Sequence, residues 1–126
     1  MQRKFLICKT CGNLIEMLID SGVTPKCCNN EMVELIANTT EAATEKHIPV
    51  IEINEDIATV TIGETLHPMT EEHFIPWIYL ETNKGIRRKN LKPGDEPKCE
   101  FKLLKEEKVI SAYAYCNLHS LWKKEL

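Results

Sequence analysis

Cysteine and histidine are the residues of this 126-residue chain whose positions point most clearly to chemistry. Four of the six cysteines lie in the first quarter, which contains no histidine: Cys8, Cys11, Cys27 and Cys28. The other two cysteines and all four histidines lie beyond it: His47, His67, His73, Cys99, Cys116 and His119. Thiols in a reducing cytosol more often bind metals or do redox chemistry than form stable disulfides. The two groups therefore predict two separate metal sites.

The first group contains the spacing Cys8-x-x-Cys11, followed by Gly12. Two intervening residues let both thiolates reach one ion, and glycine supplies the backbone freedom of such a turn. Cys27 and Cys28 are adjacent, so their side chains start out pointing apart, and a site that uses both is expected to be strained. Four thiolates accept zinc or iron, and the spacing leaves both open. A structural zinc staple and a pair of disulfides are the alternative interpretations.

The second group offers four imidazoles and one thiolate. Cys116 and His119 are three residues apart after a predicted strand, and His67 and His73 flank a short loop. Pro68 restricts His67 to extended backbone, which helps to orient the ring. Five ligands exceed the four of a structural zinc site and suit an octahedral ion with one open position. Imidazole with thiolate favours iron, and an open position on iron indicates chemistry on a small oxygen species.

These ligands need elements to position them. Residues 1–36 are too few to bury a self-sufficient core, so we expect one stapled module there and one domain at residues 37–126. Alternating apolar residues predict short strands, most clearly at 57–62 and 109–116. The other predicted strands are 4–7, 14–19, 32–36, 48–53, 74–82 and 99–104. Short strands separated by turn signals predict an all-β fold, either a sandwich or a barrel.

Composition excludes several classes of protein. Hydrophobic residues make up 43% and charged residues 28%, which is typical of a globular chain. A net charge of −3 gives no electrostatic reason to bind nucleic acid. No apolar run approaches the roughly 20 residues that cross a bilayer, and residues 5–7 are too short an apolar core for a signal peptide. We expect a soluble cytoplasmic protein that binds neither nucleic acid nor membrane.

Taken together, the ligand motifs resemble those of the desulfoferrodoxin family, the two-iron form of superoxide reductase. The resemblance covers nearly the whole chain and rests on Cys8-x-x-Cys11, Cys27-Cys28, Glu45-Lys46-His47-Ile48-Pro49, His67-Pro68-Met69, His73 and Cys116-x-x-His119. It implies a desulforedoxin-like, rubredoxin-like N-terminal metal module and an immunoglobulin-like β-sandwich. It also implies two iron ions per chain. The first would be held by Cys8, Cys11, Cys27 and Cys28, and the catalytic iron by His47, His67, His73 and His119 in a plane with Cys116 as the axial ligand.

The resemblance further implies an activity, the one-electron reduction of superoxide to hydrogen peroxide with electrons from an external donor such as rubredoxin. Glu45 and Lys46 match the family's mobile glutamate and lysine. Lys46 is expected to attract superoxide and support protonation, and Glu45 to ligate the iron once it is oxidised. The resemblance also implies a homodimer. Pro76 stands where the family often has an acidic residue, and because proline lacks an N–H it leaves the local strand pairing open.

Three other functions compete with this interpretation: a non-catalytic iron electron-transfer protein, a zinc-stapled binding module and a superoxide dismutase. The remaining cysteine, Cys99, is interpreted as a buried strand thiol. A basic run between residues 84 and 92 either widens the positive field around the open position or is a solvated face; its cations are Lys84, Arg87, Arg88, Lys89 and Lys92.

Overall fold

The computed structural model describes residues 3–126, so Met1 and Gln2 of the predicted module lie outside the described part. The chain divides into two compact units, one ending at Ile36 and the other beginning at Ala37. In the described residues the secondary structure consists of twelve short strands and one four-residue helix. The all-β prediction is confirmed. Among residues 3–126, no helix has the length and apolar character needed to cross a membrane.

The N-terminal unit is built from very short strands. The central strand β1 pairs antiparallel with β2 and β5, while β3 and β4 form a separate hairpin. Their bounds are β1 Phe5–Ile7, β2 Leu14–Glu16, β3 Lys26–Cys27, β4 Asn30–Glu31 and β5 Val33–Leu35. The buried cluster of this unit consists of Leu6, Cys8 and Met32, with Met17 and Cys27 packed against it. So small a core leaves a large share of the stability to whatever the cysteines bind.

The second unit is a two-layer, immunoglobulin-like sandwich. One sheet has the strand order β10-β7-β6 and the other β12-β11-β8-β9, with every neighbouring pair antiparallel. The bounds are α1 Thr44–His47, β6 Pro49–Asn54, β7 Ile57–Ile62, β8 Trp77–Thr82, β9 Gly85–Asn90, β10 Lys98–Lys102, β11 Val109–Cys116 and β12 Ser120–Glu125. Inward residues of both sheets form one core, in which Val60, Ile62, Ile78, Leu80 and Ala114 are fully buried.

Strand β8 begins three residues later than the predicted strand 74–82. Pro76 has no N–H for a sheet ladder, and its carbonyl instead accepts a hydrogen bond from the Leu91 N–H at 2.7 Å. The N–H of Phe74 donates to Asn117 Oδ1 at 2.9 Å, and that of Ile75 faces Met69 Sδ at 3.4 Å. The segment before β8 is therefore tied to the neighbouring loops rather than to a strand.

Strands β9 and β12 were not predicted because their sequences are charged instead of alternating. Both are edge strands of the four-stranded sheet, where charged side chains discourage pairing with other molecules. Arg88 and Lys89 on β9 are exposed, as expected of a solvated face. Arg87 differs, because its guanidinium forms an ion pair with the buried carboxylate of Glu107.

Helix α1 is a single turn held against the loop that follows β7. The Thr65 N–H donates to the Glu45 carbonyl at 2.9 Å. Gly63 lies directly beneath, and a Cβ there would stand 2.5 Å from the Glu45 carbonyl oxygen and 2.6 Å from the Lys46 carbonyl carbon. Both are backbone atoms, which cannot swing aside as a side chain can. Residue 63 must therefore be glycine for α1 to hold this position.

Replacing Gly63 with alanine is expected to push α1 away from the sandwich. We expect a loss of about 1–3 kcal/mol in the free energy of unfolding, the usual cost of overpacking a closed site. Urea unfolding of the variant against the wild-type chain measures it. Glu64→Ala, at an exposed position on the same loop, is the control and is expected to stay within about 0.5 kcal/mol of wild type. An equally stable Gly63→Ala chain would contradict the close packing.

Candidate metal centres

The four N-terminal cysteines converge in the structure. Their sulfur atoms all lie within 4.8 Å of one another, with Cys11 Sγ 3.6 Å from Cys27 Sγ and Cys27 Sγ 4.0 Å from Cys28 Sγ. All six cysteines of the chain are free thiols, which argues against the disulfide interpretation. Metal–sulfur bonds of about 2.3 Å in a tetrahedron place the sulfurs about 3.8 Å apart. The spacing of this cluster matches a four-thiolate metal site.

The thiols of this cluster differ in pKa because their hydrogen-bond partners differ. The Cys11 N–H donates to Cys8 Sγ at 3.4 Å and is the main reason that the pKa of Cys8 falls to about 6. The pKa of Cys28, in contrast, rises to about 12, mainly because of side-chain hydrogen bonds with Cys11 and then with Cys8. Four sulfurs this close cannot all be thiolates without a compensating cation. A bound metal ion resolves that conflict.

The adjacent cysteines are accommodated by a special turn. Cys28 and Asn29 connect β3 to β4, and both have positive φ, 53° and 64°. Two such residues make the type of turn whose twist suits a tight hairpin, and asparagine tolerates it well. Cys28 adopts a left-handed conformation at a cost of roughly 1–2 kcal/mol. The backbone at Cys28 is therefore strained, while the predicted distortion of the tetrahedral site itself stays a prediction.

The second cluster lies at one end of the sandwich, where the segments that bear its ligands meet. His47 ends α1, His67 and His73 lie in the loop between β7 and β8, and Cys116 ends β11. One ligand atom from each of these four residues lies within 4.8 Å of all the others. His119, in the turn before β12, joins them with its Nδ1 3.2 Å from His47 Nε2 and 3.8 Å from Cys116 Sγ.

The four imidazole rings stand around a square. Successive ring centroids are 4.7, 4.5, 5.1 and 5.0 Å apart in the order His47, His67, His73, His119 and back to His47. The diagonal from His47 to His73 is longer, at 6.2 Å. Metal–nitrogen bonds of about 2.1 Å at right angles place neighbouring nitrogens about 3 Å apart, close to the 3.2 Å seen here. The arrangement suits four ligands in one plane.

Two of the rings have their tautomer set by the backbone. His47 Nδ1 lies 2.7 Å from the Ala43 carbonyl oxygen, and His67 Nδ1 lies 2.7 Å from that of Pro68. Since a carbonyl oxygen only accepts, each Nδ1 carries the proton, and in a neutral ring Nε2 is then a bare acceptor. Burial, the main cause in both, lowers the pKa of His47 and brings that of His67 to about 4. Near neutral pH both rings are therefore uncharged.

The Nε2 atoms of these two rings are therefore unprotonated acceptors that face each other. His47 Nε2 and His67 Nε2 are 3.2 Å apart with no proton to place between them. Among the described residues, His73 Nε2 is a buried nitrogen without a hydrogen-bond partner. Buried polar atoms left in this state cost free energy, and a cation at the centre of the square would satisfy all of them. The donor set of this site therefore fits a metal ion.

The sulfur of Cys116 completes the site and is fully buried. Burial raises the pKa of its thiol, while the N–H groups of Leu118 and His119 oppose the rise. The His119 N–H lies 3.4 Å from the sulfur. A thiolate here needs a cation nearby, and the two N–H groups would withdraw part of its charge. Cys99 lies in neither cluster; it is on strand β10, as predicted, but half-buried rather than buried.

Glu45 and Lys46 reach the rim of this site through α1. Both side chains are exposed, directly before the buried His47. Burial is the main reason that the pKa of His73 is lowered, and the Lys46 ammonium contributes. The charge of Lys46 is therefore felt at a ring that belongs to another segment.

Two residues that contact the ligand segments were missed by sequence reasoning. Asn117 hydrogen-bonds to the backbone of the residues on either side of His73. Its amide donates to the Glu72 carbonyl at 3.0 Å, and its Oδ1 accepts from the Phe74 N–H at 2.9 Å. Trp122 stacks on His47 and donates to the His119 carbonyl. Asn117 lies inside the Cys116-x-x-His119 motif, and that position was the available signal. Trp122 offered none, because its contacts depend on strand register.

Comparison with known proteins gives a consistent result. The family model described as Desulfoferrodoxin matches residues 39–125. The desulfoferrodoxin of Nitratidesulfovibrio vulgaris is 44% identical over 118 residues, which cover 94% of this chain and 92% of that protein. A desulfoferrodoxin homolog of Archaeoglobus fulgidus is 41% identical over 92% of this chain and 91% of its own length.

A solved structure resembles the chain over its whole length. The crystal structure of the superoxide reductase from Treponema pallidum matches with a TM-score of 0.84 and 34% sequence identity, covering 99% of this chain and all of that one. Two cysteine and histidine clusters that fit metal ions, a two-unit all-β fold and matches of this coverage lead to one conclusion: the chain belongs to the desulfoferrodoxin family.

Proposed function

We propose that this protein is a superoxide reductase, which converts superoxide, one electron and two protons into hydrogen peroxide. The observation that carries the proposal is the square of four imidazoles with a buried thiolate beside it. Structural metal sites are closed by four ligands, whereas five ligands in this arrangement leave a sixth position of an octahedral ion for a small reactant. The Treponema pallidum protein with the same overall fold is named a superoxide reductase.

Iron is the metal that we propose for both clusters. Four thiolates suit iron in the N-terminal unit, and imidazole with thiolate suits it in the sandwich. The proposed ligands are Cys8, Cys11, Cys27 and Cys28 for the first ion and His47, His67, His73, His119 and Cys116 for the second. At the second site, bound iron would supply the electron that superoxide accepts.

Charge explains how the second site would draw its substrate. Four neutral imidazoles add nothing, so a ferrous ion and one thiolate sum to about +1, enough to attract a small anion in a buried pocket. Lys46 adds a second positive charge at the rim, and no ion pair or hydrogen bond of its ammonium is found among residues 3–126. We assign Lys46 to attract superoxide and to support its protonation.

We propose a different role for Glu45. It precedes Lys46 on α1 and is exposed, so its carboxylate is free to turn toward the site between turnovers. We assign it as the residue whose carboxylate would bind the iron once the iron is oxidised. With iron bound, the Cys116 sulfur would donate electron density to it, and the N–H groups of Leu118 and His119 would moderate that donation.

The electrons must come from outside the sandwich. We propose a one-electron donor such as rubredoxin, with the protein acting as a cytoplasmic homodimer. A second candidate function, electron transfer without catalysis, is favoured by one observation: Cys11 and Cys28 are exposed, which places the first cluster near the surface. Exposed clusters exchange electrons readily, but five ligands around an open position serve no purpose in a simple carrier.

The first test combines metal content with product analysis. We expect two iron ions per chain and, with superoxide and a reductant supplied, hydrogen peroxide without evolution of dioxygen. Dioxygen would indicate a dismutase, because that enzyme also oxidises superoxide. Zinc in both sites and a colourless protein would support a binding module. Iron with no consumption of superoxide would support the electron carrier, and any of these results would overturn the proposal.

Replacing Lys46 with isoleucine removes the charge at the rim but keeps a side chain of moderate size. We expect the second-order rate constant with superoxide to fall by about tenfold, and its dependence on ionic strength to weaken, because steering is electrostatic. Pulse radiolysis at several salt concentrations measures both. Lys105→Ile is the matched control: residue 105 precedes β11, whose far end bears Cys116, roughly 20 Å or more away. Equal rates for wild type and Lys46→Ile would remove Lys46 from the mechanism.

Replacing Cys116 with serine removes the proposed axial sulfur. We expect the sulfur-to-iron absorption band of the oxidised second site to disappear, since an alkoxide or alcohol oxygen gives no such transition. Visible spectra of the oxidised protein test this. Cys99→Ser is the control, and it is expected to keep the band because Cys99 belongs to neither cluster. Loss of the band from the Cys99 variant, or its survival without Cys116, would contradict the ligand assignment.

A further inference from the structure

We propose that Trp122 is a positioning residue of the second metal centre, which fixes two of its ligands at once. The inference rests on the proposed function, since it takes the cluster of imidazoles and thiolate as a metal site. It adds a residue that touches no substrate and supplies no ligand. Its indole ring contacts His47 on one segment and His119 on another.

The contact with His47 is a stack of two rings. The centroids are 4.8 Å apart and the planes are inclined by only 27°. The hydrogen bond from His47 Nδ1 to the Ala43 carbonyl sets the rotation of the imidazole about its own axis. The flat indole face blocks the ring from tilting out of that plane. Together they keep Nε2 directed at the centre of the square.

The contact with His119 is a hydrogen bond to the backbone. The indole N–H donates to the His119 carbonyl oxygen at 2.9 Å. Residues 117–119 form the turn between β11 and β12, whose last ladder pair is Cys116 with Ser120. Ser120 has a positive φ of 68°, so the turn departs sharply from strand geometry. The bond from Trp122 therefore holds the backbone of His119, whose own N–H donates to the Cys116 sulfur.

Tryptophan combines the two contacts, which neither phenylalanine nor leucine does. Trp122 is 1% exposed, and a buried indole N–H needs an acceptor. Its ladder partner is Ala114, a small and fully buried residue of the core, so the register places the large ring toward the interior. Phenylalanine could stack on His47 but could not donate to His119. Leucine could do neither, although it would also fill apolar space.

Two variants separate these contacts in the full-length, iron-loaded protein. Trp122→Phe removes the donor and keeps a ring, whereas Trp122→Leu removes both. Residues that orient metal ligands typically contribute 10- to 100-fold to metal affinity. We expect roughly tenfold weaker iron binding at the second site in Trp122→Phe and a greater loss in Trp122→Leu, measured by competition with a chelator. The reduction potential and the sulfur-to-iron band should shift in the same order.

Tyr79→Leu is the matched control, because it also removes a buried aromatic ring of the sandwich, one that packs edge-to-face against Tyr113. We expect this variant to lose stability but to keep the iron affinity, potential and spectrum of wild type. A folded Trp122→Phe protein with wild-type affinity and potential would overturn the inference, whether or not Trp122→Leu folds. An equal loss in Tyr79→Leu would also overturn it. A wild-type chain that binds no iron at this site would instead overturn the proposed function.

Discussion

The second metal centre depends on one electrostatic conflict. Bare imidazole nitrogens and a buried sulfur are forced together at the end of the sandwich, with His47 Nε2 only 3.2 Å from both His67 Nε2 and His119 Nδ1. Backbone carbonyls hold the protons of His47 and His67 on the opposite side of each ring, so no rearrangement of hydrogen bonds relieves the contact between these two Nε2 atoms. A cation at the centre would relieve it, so metal binding and the stability of this site are coupled.

The sandwich imposes this conflict because its core is large enough to do so. Residues from both sheets form a single buried cluster that includes Cys116 itself, and Gly63 lets the turn that bears His47 lie directly on the backbone after β7. Asn117 and Trp122 then tie the remaining ligand segments to the same end. The segments that bear His47, His73 and His119 are each held by contacts that do not involve the metal. Contacts within the protein thus position the ligand segments, as preorganised catalytic sites require.

The N-terminal cluster, in contrast, is supported by few buried contacts. Its unit buries only three side chains in its own cluster, and two of its four cysteines are exposed. A strained turn at Cys28 brings the last sulfur into place. Here the metal supplies much of the order, and the protein supplies few contacts that would hold the sulfurs together without it. The two clusters of one chain therefore differ in how many protein contacts support their ligands.

Residue types and spacings alone determined the two ligand groups, the division near Ile36 and the alternating strands β7 and β11, because thiolate pairs and period-two patterns are local properties. The resemblance to desulfoferrodoxins added the family. Tertiary structure decided the rest. Charged edge strands β9 and β12 carry no hydrophobic alternation, and Pro76 shortened β8 through a loop contact with Leu91. The tautomers of His47 and His67, the packing at Gly63 and the double contact of Trp122 arise only when distant segments meet, so no local pattern encodes them.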